Sequence, residues 1–128
     1  NIQIDIFKKH LEIIKNSKFD FYNPNNFKNK FDIPKKNKKI LITIDDGFES
    51  FYREAWPILK KERIPFILFV STEPVGKNGY MNWQQIKEIE KFDFTLIGHH
   101  SHTHDYLIDE TNKEFVSDIE KANKIFLK

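Results

Sequence analysis

The chain has no cysteine. Thiolate catalysis, disulfide cross-links and cysteine-ligated zinc are therefore excluded. Arginine is nearly absent as well: Arg53 and Arg63 are the only two among 21 basic residues, the rest being lysine. Proteins that read phosphates or bases lean on the arginine fork, and the formal net charge is only +2. No nucleic-acid or membrane-surface partner is implied. The basic run Lys35-Lys36-Asn37-Lys38-Lys39 reads as a solvated loop before a strand. No apolar run is long enough for a transmembrane segment, and no signal peptide is visible. Internal repeats and low-complexity segments are also missing. What is present suffices for one domain: 128 residues, 39% hydrophobic, with 13 Phe to build a core. The abundance of Lys, Asn, Ile and Phe fits an AT-rich bacterial genome. The chain opens on Asn1 inside an amphipathic pattern, as a processed chain or a fragment would.

Periodicity sets the expected elements. Ile4, Ile6, Phe7, Leu11 and Ile14 predict an amphipathic helix over 4–16. A short strand is expected at 19–22, then a loop over 23–39 tethered by Phe27 and Phe31. Residues 39–44 read as a strand buried on both faces. Residues 48–63 read as helical, with Phe48, Phe51, Tyr52, Trp56 and Leu59 inward. Pro57 marks a kink or the first turn of a second helical piece. Phe66–Val70 is a second buried strand. Asn82 is placed to cap a helix over 83–91, and a third strand is expected at 93–98, followed by a loop over 99–110. Thr111 and Glu114 form a capping box for a last helix whose inner face is Phe115, Ile119, Ala122 and Phe126. Alternating strands and helices predict an α/β fold on a parallel sheet, with ligands beyond the carboxyl ends of the strands.

Two signals fall at those ends. Asp45-Asp46-Gly47 follows the first core strand, and the third is followed by Gly98-His-His-Ser-His-Thr-His104, which holds four of the five histidines. Histidine is the commonest side-chain metal ligand. His100 and His104 are four residues apart, a spacing that in a helical turn puts both rings on one face. A third ligand from Asp45 or Asp46 would leave a position for water, the catalytic rather than the structural arrangement. The other carboxylate would stand where a general base is needed. Gly47 lets the backbone turn sharply after the pair. Taken singly, each signal has a plainer explanation: the Asp pair as a helix N-cap, the histidines as a loose tract. His99 and His102 read as surroundings of the site, His10 as a surface residue, and Trp56 and Trp83 as core anchors.

Taken together, the motifs carry a resemblance. Thr43-Ile-Asp-Asp-Gly-Phe48 resembles the first motif of NodB-type polysaccharide deacetylases, carbohydrate esterase family four, with Ile44 in place of the usual aromatic residue. His100-Ser-His-Thr-His104 followed by Leu107 resembles the second, with Asp105 where proline is frequent. Pro57–Lys61, Ile64–Val70 and Met81–Ile86 match the stretch between them. The resemblance implies a distorted (β/α) barrel of which residues 1–128 are the N-terminal portion, cut short at the carboxyl end, because the later Arg-Pro, Asp-Trp and Leu-x-x-His motifs do not follow Thr111. It implies Asp45 as catalytic base and Asp46, His100 and His104 as ligands of a divalent metal, usually zinc. It further implies an N-acetylated oligo- or polysaccharide as substrate, acetate as product, and a location outside the cell or at its envelope. Two other readings stand beside it: a two-histidine, one-carboxylate iron oxygenase, disfavoured by the strand–helix alternation, and a pseudoenzyme or carbohydrate-binding half-domain without turnover.

Overall fold

The computed structural model describes residues 3–29 and 38–127. Its elements follow the expected order. Helix α1 spans Ile4–Lys15, with Leu11 buried and Phe7 packed on the core. Strand β1 (Asp20–Phe21) pairs in parallel with β2 (Lys39–Ile40). Strands β3 (Ile42–Ile44), β4 (Phe66–Val70) and β5 (Thr95–His99) form a second parallel sheet in the order β3-β4-β5. Helix α2 is Trp56–Glu62, α3 is Trp83–Glu90, and α4 is Asn112–Phe126. Among the described residues neither sheet closes into a barrel, consistent with part of a distorted barrel.

Several boundaries differ from expectation for physical reasons. The strand expected at 39–44 breaks at Leu41 and serves two sheets. Nor is it buried on both faces: Thr43 is exposed while Ile42 and Ile44 are half-buried, because β3 lies at the edge of its sheet and β4 takes the centre. The run at 48–63 begins as a π-helical turn over Phe51–Ala55 and becomes α2 at Trp56, with Pro57 in the first turn, where its missing N–H costs nothing. Phe48, expected inward, is 40% exposed and stacks on Tyr80 instead. The third strand starts two residues late, because Phe92 and Phe94 turn to pack with each other and with Trp56. Phe27 packs on Tyr22. Phe31 and the start of the basic run lie outside the described residues.

The core gathers around β4. Phe66, Leu68 and Val70 are wholly buried, and Phe51, Trp56, Leu59, Ile86 and Ile89 from the flanking helices close over them. Each such side chain contributes roughly 1.5–3 kcal/mol by leaving water. The expected Asn82 cap forms, as a full capping box in which Asn82 accepts from Gln85 N at 2.9 Å, and so does the expected box at Thr111, which accepts from Glu114 N at 3.3 Å. The second cap fixes the start of α4. Its inner face is not quite the predicted one, since Phe115 is 44% exposed whereas Asp118 is only 7% exposed.

Candidate metal centre

The first half of the site is a tight turn at the end of β3. Gly47 N donates to the Asp45 carbonyl at 2.9 Å, closing a three-residue turn around Asp46. Asp46 has φ 72° and Gly47 φ 82°. Two successive left-handed residues reverse the chain abruptly, and for a non-glycine residue that costs about 1–2 kcal/mol. The turn is over-determined from outside. Met81 N donates to the Gly47 carbonyl and Glu49 N to the Gly79 carbonyl, each at 2.9 Å. Val70 Cγ1 lies 3.4 Å from where a Gly47 side chain would begin. The consequence is a division between neighbours: Asp45 is exposed, while Asp46 turns in and buries Oδ1.

The second half follows β5. His100–Asp105 is a loop, as expected over 99–110, so no helical turn brings the two rings together. It is threaded along the extension of β4: His100 N donates to the Val70 carbonyl at 2.8 Å, Ser71 Oγ to the His100 carbonyl at 3.0 Å, and Glu73 N to the His102 carbonyl at 2.9 Å. Ser101 and His104 are left-handed, at φ 65° and 67°. Ser101 Oγ accepts from His104 N at 3.2 Å, which folds the loop back on itself. The rings of His100 and His104 end 5.1 Å apart. Backbone reversal thus brings the two rings to one side.

The two halves meet. Asp46 Oδ1 lies 2.8 Å from His104 Nε2 and 3.7 Å from His100 Nε2. Despite the short distance, Asp46 Oδ1 has no hydrogen bond, so its 2.8 Å neighbour is near without the angle a hydrogen bond requires. A buried carboxylate oxygen without a donor is costly, by about 1–3 kcal/mol, and a cation shared with the two imidazoles would remove that cost. The donor set fits zinc, which takes His nitrogen and Asp oxygen at about 2.0–2.2 Å in tetrahedral geometry. Such ligands stand roughly 3.4 Å from one another, a value that the observed 2.8 and 3.7 Å bracket. The three donor atoms all lie within 4.8 Å of each other.

The remaining named residues sort around this cluster. Asp45 projects from the same rim, its carboxylate with no hydrogen-bond or ion-pair partner among the described residues. His102 does not reach the cluster; its Nδ1 is 2.8 Å from Thr72 Oγ1. His99 is not among the three clustered donors and packs edge-on against Phe126. His10 is exposed on α1. Trp56 is in the core and Trp83 packs on Phe126. A cavity of about 550 Å³ opens beside the ligands, lined by His100, His104, Tyr106, Ile108 and Ile119 among others. Sequence reasoning missed Asp118, whose only signal was a charge four residues before Ala122 on the inner face of an amphipathic helix.

Comparisons with known proteins agree on one family. A family model described as polysaccharide deacetylase matches residues 32–128. The poly-β-1,6-N-acetyl-D-glucosamine N-deacetylase of Staphylococcus aureus is 32% identical over 115 residues, covering 80% of this chain and 39% of that protein. The solved structure of IcaB from Ammonifex degensii superposes with a TM-score of 0.80 at 27% identity, covering 96% of this chain and 60% of that one. The Streptococcus pyogenes deacetylase PplD in complex with acetate gives a TM-score of 0.79 at 23% identity, covering 94% and 55%, and shares the fold. This chain therefore spans well under two thirds of each of these relatives.

Proposed function

The chain belongs to the polysaccharide deacetylase family, and from that premise we propose that it carries the metal-binding part of a site that hydrolyses N-acetyl groups on a carbohydrate, releasing acetate. The observation that supports this most directly is the buried Asp46 Oδ1, which faces His100 and His104 Nε2 without a hydrogen bond. Asp46, His100 and His104 would hold a divalent cation, with zinc the best fit to one carboxylate and two imidazoles. Bound there, the cation would polarise the acetyl carbonyl and acidify water.

The chain's own residues do the rest that this segment can do. Asp45, exposed on the rim beside Asp46, accepts the proton of the attacking water. The water oxygen adds to the acetyl carbonyl carbon, the carbon–nitrogen bond breaks, and the proton taken from water ends on the nitrogen of the departing sugar amine. Tyr106 and Ile108 are exposed beside the ligands and offer a wall for the sugar. The likeness to the staphylococcal enzyme supports a polymer of N-acetylglucosamine as substrate. The order of the motifs supports residues 1–128 as the N-terminal portion of the domain, so the isolated chain is expected to turn over weakly.

Zinc titration by calorimetry tests the site. One zinc per chain is expected, with affinity falling at least about 100-fold in both Asp46→Ala and His104→Ala. Binding that survives Asp46→Ala but not His104→Ala would reduce the site to a loose histidine tract. Acetate release from poly-N-acetylglucosamine by the longer natural chain containing this sequence, lost in Asp45→Asn, tests the chemistry.

A further inference from the structure

We propose that Asp118 on α4 is a positioning residue for the metal centre. Its carboxylate fixes the loop between the two histidine ligands, so that His100 and His104 face Asp46. It does so without touching the ligands. Oδ2 accepts from His102 N at 2.7 Å, and Oδ1 accepts from Thr103 N and from Thr103 Oγ1, each at 2.9 Å. These are charge-assisted bonds to the backbone of the two residues immediately before His104, made from a helix 15 and 16 positions further along the chain.

The geometry makes this more than a generic tie between helix and loop. The loop is held on one side by β4 and its extension, through Val70, Ser71, Thr72 and Glu73. Those contacts fix His100 to His102 but end there. Beyond them the chain must enter a left-handed conformation at His104, which a β-carbon resists. Asp118 grips the opposite side at His102 and Thr103, and Thr103 Oγ1 passes the restraint on by accepting from Asp105 N at 3.3 Å. His104 is thus bracketed on both flanks by groups that trace back to one carboxylate. The Thr111–Glu114 capping box fixes the start of the helix that carries Asp118. Partners outside the ligand set typically change metal affinity about 10- to 100-fold when removed.

The inference rests on the Asp46–His100–His104 cluster being a metal site, and the test separates the two. Zinc affinity is measured on folded, chelator-stripped chain for the wild type, Asp118→Asn and Glu88→Gln, alongside thermal unfolding of each metal-free protein. Glu88 is a comparable control: a helix carboxylate bonded to Tyr52 and Lys60, on α3 and away from the rim. Asp118→Asn places an amide NH₂ against a backbone N–H and is expected to weaken zinc about 10- to 30-fold, within the range for such partners. Glu88→Gln is expected to lower the unfolding temperature while leaving zinc affinity within about twofold. If Asp118→Asn only lowers the unfolding temperature and zinc binds as tightly as in the wild type, Asp118 is a structural tie and the inference is wrong. If Asp118→Asn does not fold, Thr103→Val decides: weakening of about threefold or more supports the inference, and unchanged affinity overturns it. A wild-type chain that binds no zinc overturns the metal site and, with it, this role for Asp118.

Discussion

At the amino-terminal ends of β4 and β5, Phe66, Phe92 and Phe94 crowd around Trp56 with ring centroids 5.1–6.3 Å apart. At the opposite rim, beyond the carboxyl ends of β3 and β5, the turns are tied by hydrogen bonds to backbone groups, and four of their residues are left-handed: Asp46, Gly47, Ser101 and His104. One end is held by non-directional burial and tolerates variation in detail. The other is held by directional bonds and spends stability on geometry, as binding sites commonly do. Stability and ligand placement should therefore respond to different substitutions.

The largest expected effect lies at the packed end. Phe66→Ala deletes a fully buried ring in contact with Phe51 and Trp56 and is expected to cost about 3–5 kcal/mol in denaturant unfolding. Zinc affinity of the folded fraction should change little; a parallel loss of affinity would break the distinction between the two ends. At the rim, Gly47→Ala should invert the pattern. Forcing a β-carbon into φ 82° beside Val70 costs only about 1–2 kcal/mol, yet it moves Asp46, so zinc binding should weaken by at least about tenfold.

The smallest effect is on pH dependence. Burial pushes the Asp118 carboxyl upward, but hydrogen bonds from His102 N, Thr103 N and Thr103 Oγ1 outweigh it and hold the group below its ordinary value of 3.8. A carboxyl with a depressed folded-state value contributes stability that is fully present above its unfolded value and is lost as pH falls through the folded one. The stability gap between wild type and Asp118→Asn should hold constant above about pH 5 and shrink below pH 4 in acid unfolding curves. A gap that stays constant into strong acid would mean that the charge on Asp118 contributes nothing to the rim.

The distinction between the ends also explains what was legible beforehand. The starts of helices α3 and α4 were readable from Asn82 as an N-cap and from the Thr111–Glu114 capping box, because a cap is local chemistry, satisfied within four residues. Strand β4 was readable because a central strand is apolar throughout. Phe48 and Phe115 were misplaced because hydrophobicity marks a residue as able to be buried, and only the packing of neighbours decides whether it is. The histidine spacing pointed to one site and the segment was expected as a loop, but how the loop turns was not legible: residues four apart can be brought onto one side by a helix or by two left-handed residues, and the spacing does not distinguish them.

Residue types and their order alone determined the strand–helix alternation, the two rim motifs and the family resemblance they carry, because each depends on neighbours close in the chain. The meeting of Asp46 with His100 and His104, across more than fifty residues, was decided by the parallel pairing of β3, β4 and β5, which brings both carboxyl ends to one rim. The burial of Asp118 against the histidine loop was likewise a tertiary outcome. A single carboxylate on a helix face has no periodicity to announce it, and its partners are backbone amides, which every sequence possesses.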